Sequence, residues 1–581
     1  MTSPKPGYES AVVAVPAKPD LSISAAEQRR QDPAFIARCA IDALAGRLPL
    51  PWPTPPKTPP SPKRHYRSHY QAPDPNTLLE LDNAAWAMLS PFDLVLQLVD
   101  FSGLRPVLAA LLYKPTARGH VPFDPVSLFL LCGWQLINHW NRSKTLRYLA
   151  GARYADYATA FGFQPGCYPT ESGLRYFLTT IGEKNLNALI EQSMDLIWRA
   201  GLIPPEVVAE ATVSFDGMLH DAASRMCCSA VQESCYQPTS PEQPRPCPAK
   251  EKDQRGCSCE TTACQTCCSR ATPRDPDARF VWYEGSNRSD HPNAPASTAP
   301  SPAASTGTAA GKAPRPKSPS GEGRYGYRSL PATLIDFVQR TSWILAAAKF
   351  VPANAGHEAD PAAALLRWVV AAYLWLQVRV AVGDAGVGYE PFLATCYELH
   401  VRRVVDLRAH PTDKDKDGWT IRGYDDKGCP ICPFGYRLHP NGFDETRHRS
   451  KWCCHQRCEA PPSGDDLPIS TPECPYRDRT AHRSGLIKDV SKTFADGSLR
   501  LVRDVPYRSA AWNEIYRRAR NAAESRNANL QRWQLKRLPV FGTPRGQATI
   551  FLADVWTNLT NMVRLVQEAT LAQQASKLAA A

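Results

Sequence analysis

Three carboxylates in this chain have types and settings suited to chemistry on phosphate esters. Asp216 ends the apolar run VVAEATVSFDG and Asp384 ends VRVAVGDAG, each followed by glycine or a small residue. A carboxylate at the carboxyl end of a strand points into the crevice where open α/β sheets bind ligands. Two such aspartates on neighbouring strands repel each other, and Mg²⁺ relieves the repulsion while accepting phosphate oxygens and water. The third acid, Glu524, lies in ARNAAESRNANLQRWQLKR, residues 519–537, which reads as one long helix. Around it stand Arg520, Arg526, Arg532, Lys536 and Arg537. Two metal ions about 4 Å apart activate an attacking oxygen and stabilise a leaving oxygen on phosphorus. The bases would hold a DNA backbone beside them. Each residue alone has a plainer reading: an Asp before Gly is a turn residue, and a Glu among arginines is a solvated face with local ion pairs.

The 19 cysteines are bunched, with nine from Cys227 to Cys268 and six from Cys429 to Cys474. Bunching in a reducing compartment points to metal rather than to disulfides. Cys429 and Cys432 have the CxxC spacing of a zinc knuckle, with Cys454, Cys458 and Cys474 as candidates for the remaining ligands. In the first cluster Cys257, Cys259, Cys264 and Cys267 are candidates for another structural zinc, whose pairing the spacing does not fix. In both clusters zinc would staple a loop too small for its own core.

The elements that must position these groups follow from patterning. The chain has 581 residues, a hydrophobic fraction of 43% and a formal charge of +12, which suggests several units and a polyanionic partner. Residues 1–75 are rich in Pro, Lys and Arg and read as a disordered basic arm. Residues 76–204 carry apolar residues at helical spacing and read as an all-helical domain. Within it, YPTESGLRYFLTTIG has Thr170 as an N-cap and Arg175 on its exposed face. A helix-turn-helix reader and an ordinary bundle both fit it. Residues 205–409 read as three meandering strands, then helix, strand, helix, strand, with a cysteine-rich and low-complexity insertion at about 226–322. Residues 410–510 form a basic knuckle-like insertion. Residues 511–581 hold the Glu524 helix and a last amphipathic helix. The whole is an α/β chain with a mixed sheet and flanking helices behind a helical domain. No apolar leader or spanning run is present, so the expected location is the cytoplasm. No Walker loop, GxSxG elbow or HExxH helix supports another common enzyme class, and no small-molecule substrate is expected.

The segments VSFDGMLHDAASR, GRYGYRSLPATLID, AKFVPANAGHE, VAVGDAGVGYEPFLATCYELH and ARNAAESRNANLQRWQLKR resemble DDE transposases of bacterial insertion sequences, across roughly residues 205–570. That resemblance implies a ribonuclease H-like catalytic fold with Asp216, Asp384 and Glu524 as catalytic triad, holding two Mg²⁺ (or Mn²⁺) ions. It implies cleavage at transposon ends and joining of the freed 3′-hydroxyl to target DNA by transesterification, performed by a homodimer on paired DNA ends in the bacterial nucleoid. One subgroup places Tyr, Arg, Glu and Lys at fixed spacing. Arg520 fits that pattern, Tyr516 is one place further out, and Gln531 stands at the lysine position with Lys536 nearby. Two rival readings remain: a zinc-stabilised DNA-binding protein descended from a transposase without catalysis, and a nuclease of the same fold.

Overall fold

The computed structural model describes residues 50–54, 65–74, 83–113, 121–184, 186–223, 275, 277–283, 322–406, 423–424, 429–432, 435–444, 446, 449–454, 487–491, 505 and 510–580. Nine helices open the described chain: α1 Asn83–Met88, α2 Pro91–Leu98, α3 Leu104–Leu112, α4 Pro125–Ile137, α5 Arg142–Leu149, α6 Ala155–Ala160, α7 Glu171–Lys184, α8 Leu186–Arg199 and α9 Pro205–Ala209. Their starts are chemically marked. Ser90 and Asp93 form a capping box ahead of α2, Asp124 caps α4, and the Thr170 hydroxyl accepts from the Gly173 N–H at the head of α7. The segment between α6 and α7, residues 161–170, is much longer than the turn of a helix-turn-helix, so this region is a bundle.

The arm expected to be wholly disordered is in part docked on that bundle. Trp52 is buried and stacks on Phe101 at 5.5 Å, and the Tyr70 hydroxyl donates to the Val99 carbonyl and accepts from Phe101 N–H. Two large rings give those short stretches enough apolar area to hold them against the helices.

Two sheets follow. Strands β1 Ala211–Phe215, β5 Pro331–Asp336, β6 Thr341–Ala347, β7 Val378–Gly383 and β8 Arg402–Val405 form a five-stranded sheet in the order β8-β7-β1-β5-β6. β5 pairs antiparallel with both β1 and β6 in a meander, while β7 pairs in parallel with both β1 and β8. The parallel strands are reached by the crossover helices α10 Ala359–Ala372 and α11 Glu390–Glu398. A smaller sheet, in which β4 Glu322–Ser329 lies between β2 Met218–Asp221 and β3 Arg279–Tyr283, continues the β1 and β5 hairpin beyond Gly217 and Leu330. The molecule is therefore mixed α/β, as the patterning predicts. In the basic insertion the described strands β9 His439–Asp444, β10 Arg449–Cys453 and β11 Ile487–Ser491 form an antiparallel sheet.

Alternation along the strands assigns the two faces of the main sheet. Val213, Phe215, Leu334 and Ala381 face the large core, with Leu366, Val369 and Phe392 of α10 and α11. Ile335, Val380, Val382 and Val404 face a second, smaller cluster with Trp512 and Ala519 of α12 Ala510–Arg532. That helix ends earlier than the 519–537 reading: Gln534 adopts a left-handed φ of 56°, and the segment after it is stitched to β2 through Asp221 N–H to Lys536 O and Leu538 N–H to Asp221 O.

The last helix, α13 Thr543–Ala580, is not amphipathic over its first half. From Ala548 to Leu559 every residue is buried. It packs on α2, α7, α8 and β6, so the amino-terminal bundle and the sheet share one apolar core. Trp556 stacks on Phe129 at 5.5 Å and lies 5.2 Å from Phe92, and a Cβ on Gly133 would collide with its indole. Asn558 adds a polar seam: its side chain accepts from Ile344 N–H and donates to Ile344 O and Ser193 Oγ. Among the described residues no helix is long and apolar enough to cross a membrane. Trp556→Ala should lower stability by about 3–5 kcal/mol through the cavity it leaves, read as a lower midpoint in thermal unfolding followed by circular dichroism. An unchanged midpoint would mean that the two ends of the chain do not share this core.

Candidate functional site

Strand register brings the first two acids together. The last paired step of β7 and β1 is Gly383 opposite Phe215, so Asp384 and Asp216 follow side by side at the carboxyl ends of parallel strands. Counting by twos from Thr212 and Ser214, and from Val380 and Val382, puts both carboxylates on the α12 face. Asp384 Oδ1 accepts from the Gly386 N–H at 2.8 Å, which folds the turn after β7 around it.

The α12 helix meets them with one of its stripes. Ala519, Ala523, Arg526 and Leu530 are buried beneath the helix, and the two alanines permit close approach to the sheet. The adjoining stripe, Arg520, Glu524 and Asn527, runs along the carboxyl ends of the strands. Arg520 pairs with Asp216 Oδ1 through Nη1 and stands 3.8 Å from Glu524 Oε1 through Nη2. Asn527 Nδ2 donates to Asp216 Oδ2 at 2.9 Å. An acid inside a basic stripe is thus explained by phase. Glu524 shares the site-facing stripe, and its side chain retains 59% exposure.

A fourth carboxylate, Glu358, was not singled out from the sequence. It begins α10, is 9% exposed, and reaches between the two aspartate turns. A Cβ at Gly217 would strike its carboxylate, and one at Gly386 would lie 2.9 Å from Asp384 Oδ1 and 3.6 Å from Glu358 Oε2. Glycine at these two positions leaves the space in which the acids meet. Arg328 Nη1 approaches Glu358 Oε1 at 3.4 Å, and the same guanidinium donates to the Ala355 and Gly356 carbonyls, which shapes the loop carrying the acid. Beside it His357 stacks on Tyr389 with ring centroids 4.4 Å apart.

The electrostatics reflect crowding. Burial, and then the charge of Asp384, push Glu358 up to about 7, against the opposing pull of Arg328. Burial also raises Asp216 above the ordinary carboxylate range, with Asp384 and Glu524 adding to the effect and Arg520 opposing it. Burial disfavours the charged Arg520, yet Asp216, Tyr516, Asp384 and Glu524 together outweigh it and hold the guanidinium above its usual value.

The basic residues divide. Arg532, Lys536 and Arg537 are exposed at and beyond the end of α12. Arg520 is turned inward to Asp216. Arg526, expected on a DNA face, is instead fully buried and pairs in bidentate fashion with Asp554, at 2.7 Å through Nε and 3.0 Å through Nη2. Its place in the Ala519, Ala523, Leu530 stripe requires this, and the signal was readable: position 526 repeats the helical period of those apolar neighbours.

The donor chemistry suits a hard divalent cation, since Asp216, Asp384, Glu358 and Glu524 offer only carboxylate oxygens. Among the described residues no three Cys, His, Asp or Glu side chains already form a ligand set, and Arg520 holds one oxygen of Asp216. An ion here requires Arg520 to release Asp216. In the basic insertion Cys429 and Cys432 flank the two-residue strand Pro430–Ile431. Gly435 N–H donates to Cys432 O, and the Tyr436 N–H points at the Cys432 sulfur at 3.4 Å. Cys454 follows β10 and is half-buried. Cys458, Cys474, Cys257, Cys259, Cys264 and Cys267 lie outside the described residues. No protein-family model matches this sequence, and no curated protein matches it.

Two predictions follow from the buried charges. Arg526→Met should destabilise the fold by roughly 3–5 kcal/mol by stranding Asp554, whereas Arg532→Ala should leave the unfolding midpoint in place. Equal midpoints for the two variants would put Arg526 back on the surface. For Glu358 the folded value lies above the free value of 4.5. Its contribution to stability is therefore full below pH 4.5 and is lost as pH rises through about 7. In metal-free buffer Glu358→Gln should match the parent near pH 4 and exceed it by on the order of 2 kcal/mol at pH 8. Thermal melts at the two pH values check this, and a constant gap would show that Glu358 is not desolvated.

Proposed function

We propose that this chain is a DDE transposase that cleaves the phosphodiester backbone at transposon ends and joins the 3′-hydroxyl to target DNA. The observation that carries the reading is the meeting of Asp216 and Asp384 on adjacent parallel strands beneath the Arg520, Glu524 and Asn527 stripe. A three-stranded meander leading into parallel strands through crossover helices supports a ribonuclease H-like arrangement of the sheet. The docked helical bundle and the basic insertion are the parts a multi-site DNA assembly needs, and a homodimer on paired ends in the bacterial cytoplasm completes the reading.

Asp216, Asp384 and Glu524 would hold two Mg²⁺ or Mn²⁺ ions, with Glu358 as a neighbouring carboxylate. Bound there, the ions supply charge stabilisation at the attacking and leaving oxygens. The protein's own groups do the rest. The glycine turns after the two aspartates leave the crevice open to a phosphate. Asn527 orients Asp216 through Oδ2. Arg520, released from Asp216, is placed to offset charge on the phosphate oxygens, and its exchange of partners avoids leaving a bare carboxylate when no DNA is present. Arg532, Lys536 and Arg537, exposed where the helix ends, would hold the backbone of the bound strand. No covalent enzyme intermediate is required, so the site needs no nucleophilic Ser or Tyr. Structural zinc at Cys429 and Cys432 would hold the insertion's turn.

One observation favours the rival reading of a DNA-binding protein without catalysis: Arg520 engages Asp216 where an ion would stand. Strand joining separates the two. With DNA carrying the element's own ends and Mg²⁺ or Mn²⁺, the parent should join ends to target, while Asp216→Asn, Asp384→Asn and Glu524→Gln should bind and lose joining by at least about 100-fold, the scale of removing a major charge-stabilising group. Binding without cleavage or joining by the parent in either metal would favour the non-catalytic protein, and cleavage without joining the nuclease.

A further inference from the structure

A second concentration of charge lies in the helical bundle, on elements that contribute nothing to the carboxylate crevice. Arg142 is the first residue of α5, Arg175 lies on α7, and Arg545 lies in the first turn of α13. α5 and α7 pack together, and α7 packs along α13, so three helices bring Arg175 and Arg545 within electrostatic reach of Arg142. Among the described residues none of the three makes a side-chain hydrogen bond or ion pair, and Arg142 Nε is buried without an acceptor. A buried guanidinium N–H without a partner is costly, and mutual repulsion adds to the cost. The groups facing Arg142 are Cys132, Arg545, Arg175 and Glu171. Burial lowers its proton affinity first, the other two arginines lower it further, and Cys132 and Glu171 oppose. An arrangement that is unfavourable when empty is what a preformed anion site looks like.

The surroundings favour a polyanion. The same helix and the turn after it carry Lys144, Arg147 and Arg153, each resting on an aromatic ring: Lys144 over Trp140 and Tyr148, Arg147 over Tyr148, and Arg153 over Tyr154. Rings that restrain long cationic side chains reduce the ordering cost of holding a row of negative charges. Arg175 has Tyr176 beside it, 61% exposed.

We propose that Arg142, Arg175 and Arg545 form a binding site for a backbone phosphate of duplex DNA, with Lys144, Arg147 and Arg153 continuing the contact along the strand. The site extends the DNA-acting reading but does not depend on its chemistry, because it engages phosphate in the absence of any metal.

The test uses the full chain, a fluorescent 30-base-pair duplex and chelator in every sample, with binding followed by anisotropy over a range of salt. Arg142→Gln, Arg175→Gln and Arg545→Gln should each weaken binding about 3- to 10-fold and reduce the slope of log K against log salt by about one if that arginine neutralises a phosphate. Arg175→Lys should keep most of the slope, and Arg367→Gln, on α10 in an exposed ion pair with Glu398 of α11, should keep all of it. Because Arg175 and Arg545 repel Arg142, the glutamine variants should melt no lower than the parent. If one does melt lower, Arg175→Lys and competition by inorganic phosphate on the parent carry the test. A triple glutamine variant with the parent's affinity and slope overturns the proposal. So does inorganic phosphate that raises the parent's melting point but not the triple variant's while DNA binding is equal in both, since the site would then take free phosphate. Loss of salt slope in these variants, with strand joining absent even in the parent, leaves this site standing and removes only the catalytic reading.

Discussion

Two negative charges at the ends of adjacent parallel strands are the constraint around which this molecule is arranged. Their proximity follows from the β1 and β7 register, and their common direction from the period of two along each strand. Left alone, they would repel in a partly dry crevice. The structure answers with Arg520 and Asn527 on Asp216, with a backbone N–H on Asp384, and with Glu358 poised near neutrality between them. Each answer needs a distant part of the chain to be in place: α12 from beyond the second insertion, the Gly386 turn after β7, and the loop shaped by Arg328 before α10.

The scaffold that holds these parts is unusually shared. Residues 548–559 of α13 are buried on all sides because they are surrounded, by the bundle on some sides and β6 on another. The buried Arg526 and Asp554 pair ties α12 to α13, and the stitched segment after α12 ties it to β2. A fully buried ion pair contributes little net stability compared with an apolar pair, but it penalises every other register of one helix against the other. That fits a site where a shift of one turn would carry Arg520 away from Asp216.

Legibility differed by residue for physical reasons. Asp216 and Asp384 could be read because a strand's alternation extends to the residue just past its end, and the order of strands and helices of the five-stranded sheet followed from the same patterning. In contrast, β3 lies in the segment read as an insertion, and RYGYRSLPATLIDF, read as one strand, is divided between β4 and β5 of two sheets. Glu358 could not, since it sits in a loop whose path is set by Arg328 and by tertiary packing. The signal available was an acid opening a helix, between the two aspartates in sequence. Arg526 was misread because charge was weighed before helical phase; three small or apolar residues in its stripe mark it as interior. Trp52 and Tyr70 were hidden by the prolines around them, although single large rings can dock a segment that lacks any periodicity. The sequence from Phe551 onward in α13 reads as amphipathic because one-sided burial is the commoner fate of a helix, and nothing local announces that partners from residues 92 to 197 will surround its buried stretch.

The position of Trp556 also sets an order of assembly. Phe92, Phe101 and Phe129 are made early in synthesis, yet the indole that fills the space between them arrives only with α13. Until then the bundle exposes an apolar trough sized for a helix that does not yet exist. Such a chain cannot complete its first domain as it emerges from the ribosome, and contacts of very high sequence separation must close before that core is dry. A nascent or prematurely terminated chain would therefore be a client for chaperones and proteases rather than a folded fragment.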